Sequence, residues 1–312
     1  MLGAMLGAHS ACIATPESQF KTDALARRDM PVPLDIRDTL EYMVAHYRFV
    51  GWQTPVDLGA AEASGALTSY RAAVEWLVRL YATLHGKGGA AVWIDHSPEN
   101  FRDAAALMEQ FPDCRMIHIV RDGRAVAASI MHLPWGPNTP LATARFWMES
   151  LAFPLAAEAR WGPGVVMQVK YEDLVREPEA QLRRLCEHVG VPFEPALLKA
   201  DGFTPSYTKK VHQLVGTPPT ISRVDAWRTD LSPRAVERFE FRAGGLLKVL
   251  GYEPSFAVPR NPTFWQNVAE GLTEFAKSRL NRRRRPRRLA RELGLPPGIN
   301  PLRPKGRVTT PA

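Results

Sequence analysis

One stretch does most to limit what this chain can become: RMIHIVRDGRAVAASI, residues 115–130. Its first six residues are almost continuously apolar and rich in β-branched side chains, the pattern of a strand covered on both faces. Asp122 and Gly123 then supply a tight polar turn, and the residues after the turn read as the start of a helix. That order places Arg121 at the carboxyl edge of a sheet, where open α/β sheets bind their ligands. A guanidinium there can grip a phosphate through two N–H groups at once. Ser129, about two turns into the helix, would add a hydroxyl. On those two residues alone, an Arg121 paired with Asp122 and a Ser129 that merely packs is an equal reading. Arg124 reads as part of a solvated helix face.

Two further segments read as strands, residues 91–94 and 165–170 (VVMQVK), and each is followed by a helical pattern. Ser97-Pro98 has the form of an N-cap and first helical position. Pro178 opens another helix, with Leu182, Leu185, Cys186 and Val189 at helical spacing before Gly190. Such alternation predicts a parallel sheet with helices on both faces. Residues 20–90 hold no convincing strand and read as a helical insertion; residues 71–84 are amphipathic. Ser232-Pro233 starts a long helix that buries Val236, Phe239, Leu246, Leu247 and Leu250. The apolar opening MLGAMLGAHSACIA lacks a basic flank and is interrupted by His9, so it reads as the interior of a helix, not a signal peptide.

The net charge of +8 is unevenly placed. Twelve Lys/Arg and one acid lie between Lys277 and Arg307, which is +11; the remaining 28 basic and 31 acidic residues give −3. The division expected is a body over residues 1–258 and a disordered Pro/Arg-rich tail over 259–312. Such a tail is attracted to an acidic membrane surface or a polyanionic acceptor. Sequence-specific nucleic-acid binding is not expected, because no reading helix with interleaved aromatics accompanies the charge. No run of about 18 apolar residues exists, so no membrane span is expected. Three widely spaced cysteines (Cys12, Cys114, Cys186) fit neither a metal site nor a disulfide framework and point to a reducing, cytoplasmic setting.

Taken together, these segments resemble one family. IHIVRDGRAVAAS (117–129) is similar to the 3′-phosphate-binding segment of sulfotransferases that use 3′-phosphoadenosine 5′-phosphosulfate (PAPS). FPDCRMIHIVRD (111–122), KYEDLVREPEAQLRRLCEHVGVPF (170–193) and AWRTDLSPRAVERFEF with LLKVLGYE (226–253) resemble the family's flanking segments in the same order. The likeness covers roughly residues 1–255 and is nearest the bacterial and tyrosylprotein-sulfotransferase branches. It implies a P-loop-NTPase-like three-layer α/β fold with a central parallel sheet. The first 20 residues resemble the helix after the family's 5′-phosphosulfate loop, a loop like PRSGTT whose backbone amides cradle the donor. Because that loop would precede Met1, the first strand is expected to be missing or incomplete. The expectation is a start codon placed too late, or else a truncation, with weak nucleotide binding and little turnover by these 312 residues.

The resemblance implies sulfuryl transfer from PAPS to a hydroxyl or amine of a small-molecule, carbohydrate or peptide acceptor, without a metal. It assigns the donor's 3′-phosphate to Arg121 and Ser129, the adenosine pocket to Tyr171, and a returning loop to Arg223. TISRVDAW (220–227) departs there from the family's glycine-rich version. Glu17, in TPES, takes the position of a catalytic glutamate. His96, in WIDHSPEN, stands where relatives place a lysine near the leaving oxygen, with Asp95 to orient it; histidine loses its charge near neutral pH where lysine does not. Two other functions compete: a non-catalytic interaction module that keeps the 3′-phosphate half-site, and a small-molecule kinase of the same architecture, which needs a loop with lysine and a magnesium-binding hydroxyl.

Overall fold

The computed structural model describes residues 1–27, 34–203, 220–295 and 301–302. The chain divides into two compact units. The first comprises residues 1–114, 182–218 and 287–312; the second comprises 115–181 and 219–286.

The first unit opens with a short helix, α1 (Leu2–Gly7), and then a three-residue strand, β1 (Cys12–Ala14). The opening run is therefore not one helix interior. Every residue of β1 is buried, and small apolar residues carry too little periodicity to separate a buried helix from a buried strand. β1 pairs in parallel with β2 (Val92–Ile94), in the register Cys12 to Val92 and Ala14 to Ile94. The Lys87 ammonium closes the turn after α1 by donating to the carbonyls of Gly7, His9 and Cys12 at 2.6, 2.9 and 2.9 Å. A cation suits that end of a helix, where carbonyls point outward without partners.

Between β1 and β2 the unit is helical, as residues 20–90 predict. The elements are α2 (Gln19–Leu25), α3 (Ile36–Ala45), α4 (Tyr47–Val50), α5 (Leu58–Ala63) and α6 (Tyr70–Leu84). Asp35, Asp57 and Ser69 cap α3, α5 and α6 by accepting backbone N–H bonds. Their shared core holds Phe20, Leu40, Met43, Phe49, Trp52, Tyr70, Leu77 and Tyr81. Complete burial of an apolar side chain of this size contributes roughly 1.5–3 kcal/mol, so this cluster outweighs any surface ion pair in the unit. After β2 the chain makes turns, and α7 (Ala104–Gln110) starts seven residues beyond Ser97. Ser97 does not cap a helix; its hydroxyl is taken by Asp95.

The second unit contains the predicted central segment. β3 (Met116–Val120) pairs in parallel with β4 (Val166–Lys170), Met116 beside Val166 and Val120 beside Lys170. Between them lie α8 (Gly123–Ile130) and α9 (Pro140–Trp161). This is a strand, helix and parallel strand sequence of the kind that alternation predicts. Burial along β3 is less complete than its apolar sequence implies, since Ile119 is 40% exposed. After β4 comes α10 (Tyr171–Arg176), and then α11 (Pro178–Val189), which from Leu182 on belongs to the first unit and is ended by Gly190 at φ 78°. Then come α12 (Trp227–Asp230) and α13 (Pro233–Val249). The Ser232 hydroxyl accepts the N–H of Ala235 to cap α13. Val120, Trp147, Leu151, Trp227, Phe239 and Leu247 form the second core.

The basic segment is not irregular throughout. Residues Phe264–Glu292 form a 29-residue helix, α14, which continues through Pro286. Its composition suggested a chain too polar to order, but acidic side chains along one edge tie α14 to the second unit. Residues 296–300 and 303–312 of the expected tail lie outside the described residues.

Candidate functional site

In the second unit the turn after β3 is built from buried charge. Asp122, at the start of α8, accepts the Arg124 N–H at 2.8 Å and pairs with the Arg124 guanidinium at 2.7 Å. Arg124 also pairs with Glu240 of α13 at 2.7 Å and stacks on Trp227, 4.0 Å from the ring centroid. It is 2% exposed, so it is not a solvated helix face. Burial works against its charge, and the two carboxylates more than offset that, raising its pKa. Glu172 accepts the Asp122 N–H at 3.0 Å and the Tyr252 hydroxyl at 2.9 Å. Burial first, and Glu172 second, push the Tyr252 phenol far above its usual range.

This network leaves Arg121 outside it. With Asp122 committed to Arg124, Arg121 pairs with no carboxylate among the described residues. Its guanidinium lies over the Tyr171 ring at 4.2 Å, and Nη2 donates to the Arg223 carbonyl at 3.0 Å. Its Nε is buried with no hydrogen-bond partner. The backbone around it is fixed: the Arg121 carbonyl accepts the Trp147 indole N–H at 3.2 Å. At Gly123 a Cβ would meet Phe239 Cζ at 2.6 Å and Trp147 Cδ2 at 2.7 Å, so only glycine fits. The Ser129 side chain, half-buried on α8, makes no hydrogen bond among the described residues. Three of the sequence-chosen residues are thus in contact: Arg121, Tyr171 and Arg223, the last through its backbone. Its side chain is exposed.

In the first unit the ends of β1 and β2 carry a second charged centre, which sequence reasoning missed. Lys21 pairs with Asp95 at 2.7 Å, and both side chains are nearly buried. Lys21 Nζ also donates to Asn100 Oδ1 at 2.5 Å. Asp95 accepts the Ser18 hydroxyl at 2.7 Å, the Ser97 hydroxyl at 2.7 Å and the Ser97 N–H at 3.0 Å. Burial pushes this carboxyl up, but Lys21 and the two hydroxyls outweigh it and hold it well below the usual carboxylate range. Asp95 therefore does not orient His96.

His96 is exposed. Its ring packs 5.1 Å from that of Phe203, and its Cδ2 would lie 2.9 Å from a Cβ at Gly3 of α1. Glu17 pairs through Oε2 with Arg48 at 2.7 Å, and its carbonyl accepts the Trp52 indole N–H at 3.2 Å. Glu17 is held by the helical segment, and His96 sits beside α1. Among the described residues, no cluster of three or more His, Cys, Asp or Glu is arranged to hold a metal.

A profile of the sulfotransferase family matches residues 1–195. The chain belongs to the sulfotransferase family. Protein-tyrosine sulfotransferase A of Caenorhabditis elegans is 24% identical over 172 residues, 52% of this chain and 45% of that protein. The protein-tyrosine sulfotransferase of Drosophila melanogaster is 25% identical over 169 residues, 50% of this chain and 34% of that protein. Carbohydrate sulfotransferase 7 of Mus musculus is 32% identical over 115 residues, 35% of this chain and 23% of that protein. The matches span less than half the length of each of these relatives.

Among solved structures, the sulfotransferase domain of the Synechococcus PCC 7002 olefin synthase superposes with a TM-score of 0.53 at 21% identity, covering 81% of this chain and 90% of that one. The sulfotransferase domain from the curacin biosynthetic pathway gives 0.52 at 20% identity, covering 81% and 93%. The fold is the P-loop-like α/β fold of those domains.

Proposed function

We propose that the protein transfers a sulfuryl group from PAPS to an acceptor hydroxyl, and that Arg121 and Ser129 hold the donor's 3′-phosphate. The observation that carries this reading is Arg121: a cation at the carboxyl end of a parallel strand, stacked on an aromatic ring and matched by no carboxylate among the described residues. A buried polar atom without a partner is costly in a fold and calls for an explanation. An anionic ligand supplies one. The residues present fit such a group: a guanidinium with free N–H donors, and a hydroxyl on the following helix with no other bond among the described residues.

PAPS would supply the activated sulfuryl group. The chain's own part is to position and to move a proton. Tyr171 backs the Arg121 guanidinium and offers an aromatic wall for the adenosine. The Arg223 carbonyl anchors Nη2, leaving the Nη1 edge for ligand. Glu17 is the proposed base. Its Oε2 is tied to Arg48, which leaves Oε1 to accept a proton from the acceptor. His96 is the proposed positive partner or acid toward the leaving oxygen, a role its exposure permits. The acceptor is a hydroxyl of a peptide, carbohydrate or small molecule, in line with the substrates named by the relatives. A reducing cytoplasm suits three free thiols, two of them buried.

Isothermal calorimetry with 3′-phosphoadenosine 5′-phosphate tests the donor site directly. The expected result is saturable binding to the 312-residue chain that weakens by about 30- to 150-fold in Arg121→Ala. Equal affinity in the variant would remove the assignment. Labelled-sulfate transfer to tyrosine peptides, oligosaccharides and phenols then reads the acceptor class.

A further inference from the structure

Helix α14 is built the wrong way round for a helix that packs on a protein core. Phe264, Trp265, Leu272 and Phe275 are 70%, 75%, 64% and 62% exposed. With the half-buried Val268 they fall at intervals of one, four, eight and eleven residues from Phe264, which is a single helix face. An ordinary surface helix turns that face inward.

What holds α14 is its polar edge. Glu270 accepts the Leu141 N–H at 3.0 Å and pairs with Arg238 of α13 at 2.6 Å. Glu274 accepts the Asn138 N–H at 2.7 Å and the Thr139 hydroxyl at 3.2 Å. These bonds commit the acids to the body and leave the apolar face in water.

Cations reach the same outward face at Arg279, Arg282 and Arg283, and from there the charge wraps around the helix, since successive residues turn by about 100°. Lys277, Arg279, Arg282, Arg283, Arg284 and Arg285 are exposed, and no acid occurs between Lys277 and Arg291. Arg282 lies about five turns beyond Phe264, and Arg283 about five turns beyond Trp265, so the aromatic face runs directly into a cationic one. Arg279 stands 5.9 Å above the Phe275 ring. No helix among the described residues is long and apolar enough to cross a membrane.

We propose that α14 docks the protein on an anionic phospholipid surface, with Phe264, Trp265, Leu272 and Phe275 entering the headgroup boundary and the Arg run neutralising the lipid charge. Aromatic and aliphatic groups beside clustered cations match both parts of such an interface. A nucleic acid would meet the charge but leave the apolar face wet. A second copy of the chain would cover the apolar face but add another Arg run to the first, where acidic lipid removes the repulsion.

Flotation of the full chain with lipid vesicles provides the test. Vesicles of phosphatidylcholine with about a quarter phosphatidylserine should carry it, pure phosphatidylcholine should not, and added salt should weaken the binding. Replacing both Trp265 and Phe275 by Ser should cut the bound fraction at least about tenfold while every arginine remains. Both side chains are exposed, so the thermal unfolding curve should not move. Changing Arg282 through Arg285 to Ser should abolish the preference for phosphatidylserine.

Three results would overturn the proposal. One is no flotation with the anionic vesicles. Another is undiminished binding by the Trp265/Phe275 variant, which would leave charge as the whole cause. The last is tighter binding to a single-stranded RNA, or a concentration-dependent dimer lost in the same variant, with vesicles ignored. None of these measurements uses PAPS or its product, so their failure leaves the donor-site reading standing.

Discussion

Lys21 and Arg121 are both cations near the end of a parallel strand pair, one in each unit, and they are treated in opposite ways. Lys21 is nearly buried and fully answered by Asp95, Asn100 and the serines that orient Asp95. Arg121 has an aromatic ring and a carbonyl, but no opposite charge among the described residues. Its neighbour Arg124, three residues on, has two carboxylates. The difference separates charges that hold a fold together from a charge kept available. A structural cation carries its counter-ion within the protein; a ligand-binding cation takes it from the ligand.

The largest expected effect comes from breaking the internal pairs. Asp95→Ala leaves the Lys21 ammonium buried without its carboxylate, and Arg124→Ala does the same to Asp122 and Glu240. Each should cost about 3–5 kcal/mol in urea unfolding. Asp95 also makes a pH signature. Its pKa is depressed in the folded state, so its contribution is present above the unfolded value near 3.9 and fades as pH falls below it. Stability measured from about pH 5 downward should drop in the wild type and run flatter in Asp95→Asn.

Arg121→Ala should invert the pattern. Donor-product affinity should fall by roughly 2–3 kcal/mol, about 30- to 150-fold. Unfolding stability should change by less than about 1 kcal/mol, since no carboxylate is stranded. A stability loss as large as that of Arg124→Ala would erase the distinction between the two arginines. Arg121→Lys keeps the charge but loses the planar fork and its stacking on Tyr171, and calorimetry should show roughly tenfold weaker binding. Ser129→Ala, the smallest change, should cost about 0.5–1.5 kcal/mol of affinity.

The sequence was most readable where one local pattern carried the information. β3 and β4 stand out because five successive residues of each are rich in branched apolar side chains. Arg121 and Ser129 lie on that same continuous segment, which is why they could be named together. β1 was invisible because three residues inside an apolar run have no period to display. The Arg124 network was unreadable for another reason: Glu240 is 116 residues away, and nothing local distinguishes a buried arginine from a solvated one. Helix α14 misled in a third way. Its Arg-rich composition suggested disorder, whereas its order comes from Glu270 and Glu274 reaching partners more than 120 residues earlier in the chain.

Gly123 has a consequence beyond its own turn. Two aromatic rings press against it, and one of them, Trp147, also grips the Arg121 carbonyl. The guanidinium is therefore seated on the hydrophobic interior through a single rigid step, with no slack to absorb repacking. Trimming Phe239, which would never touch a nucleotide, loosens that seat, so ligand affinity becomes a gauge of how tightly α9 and α13 are packed.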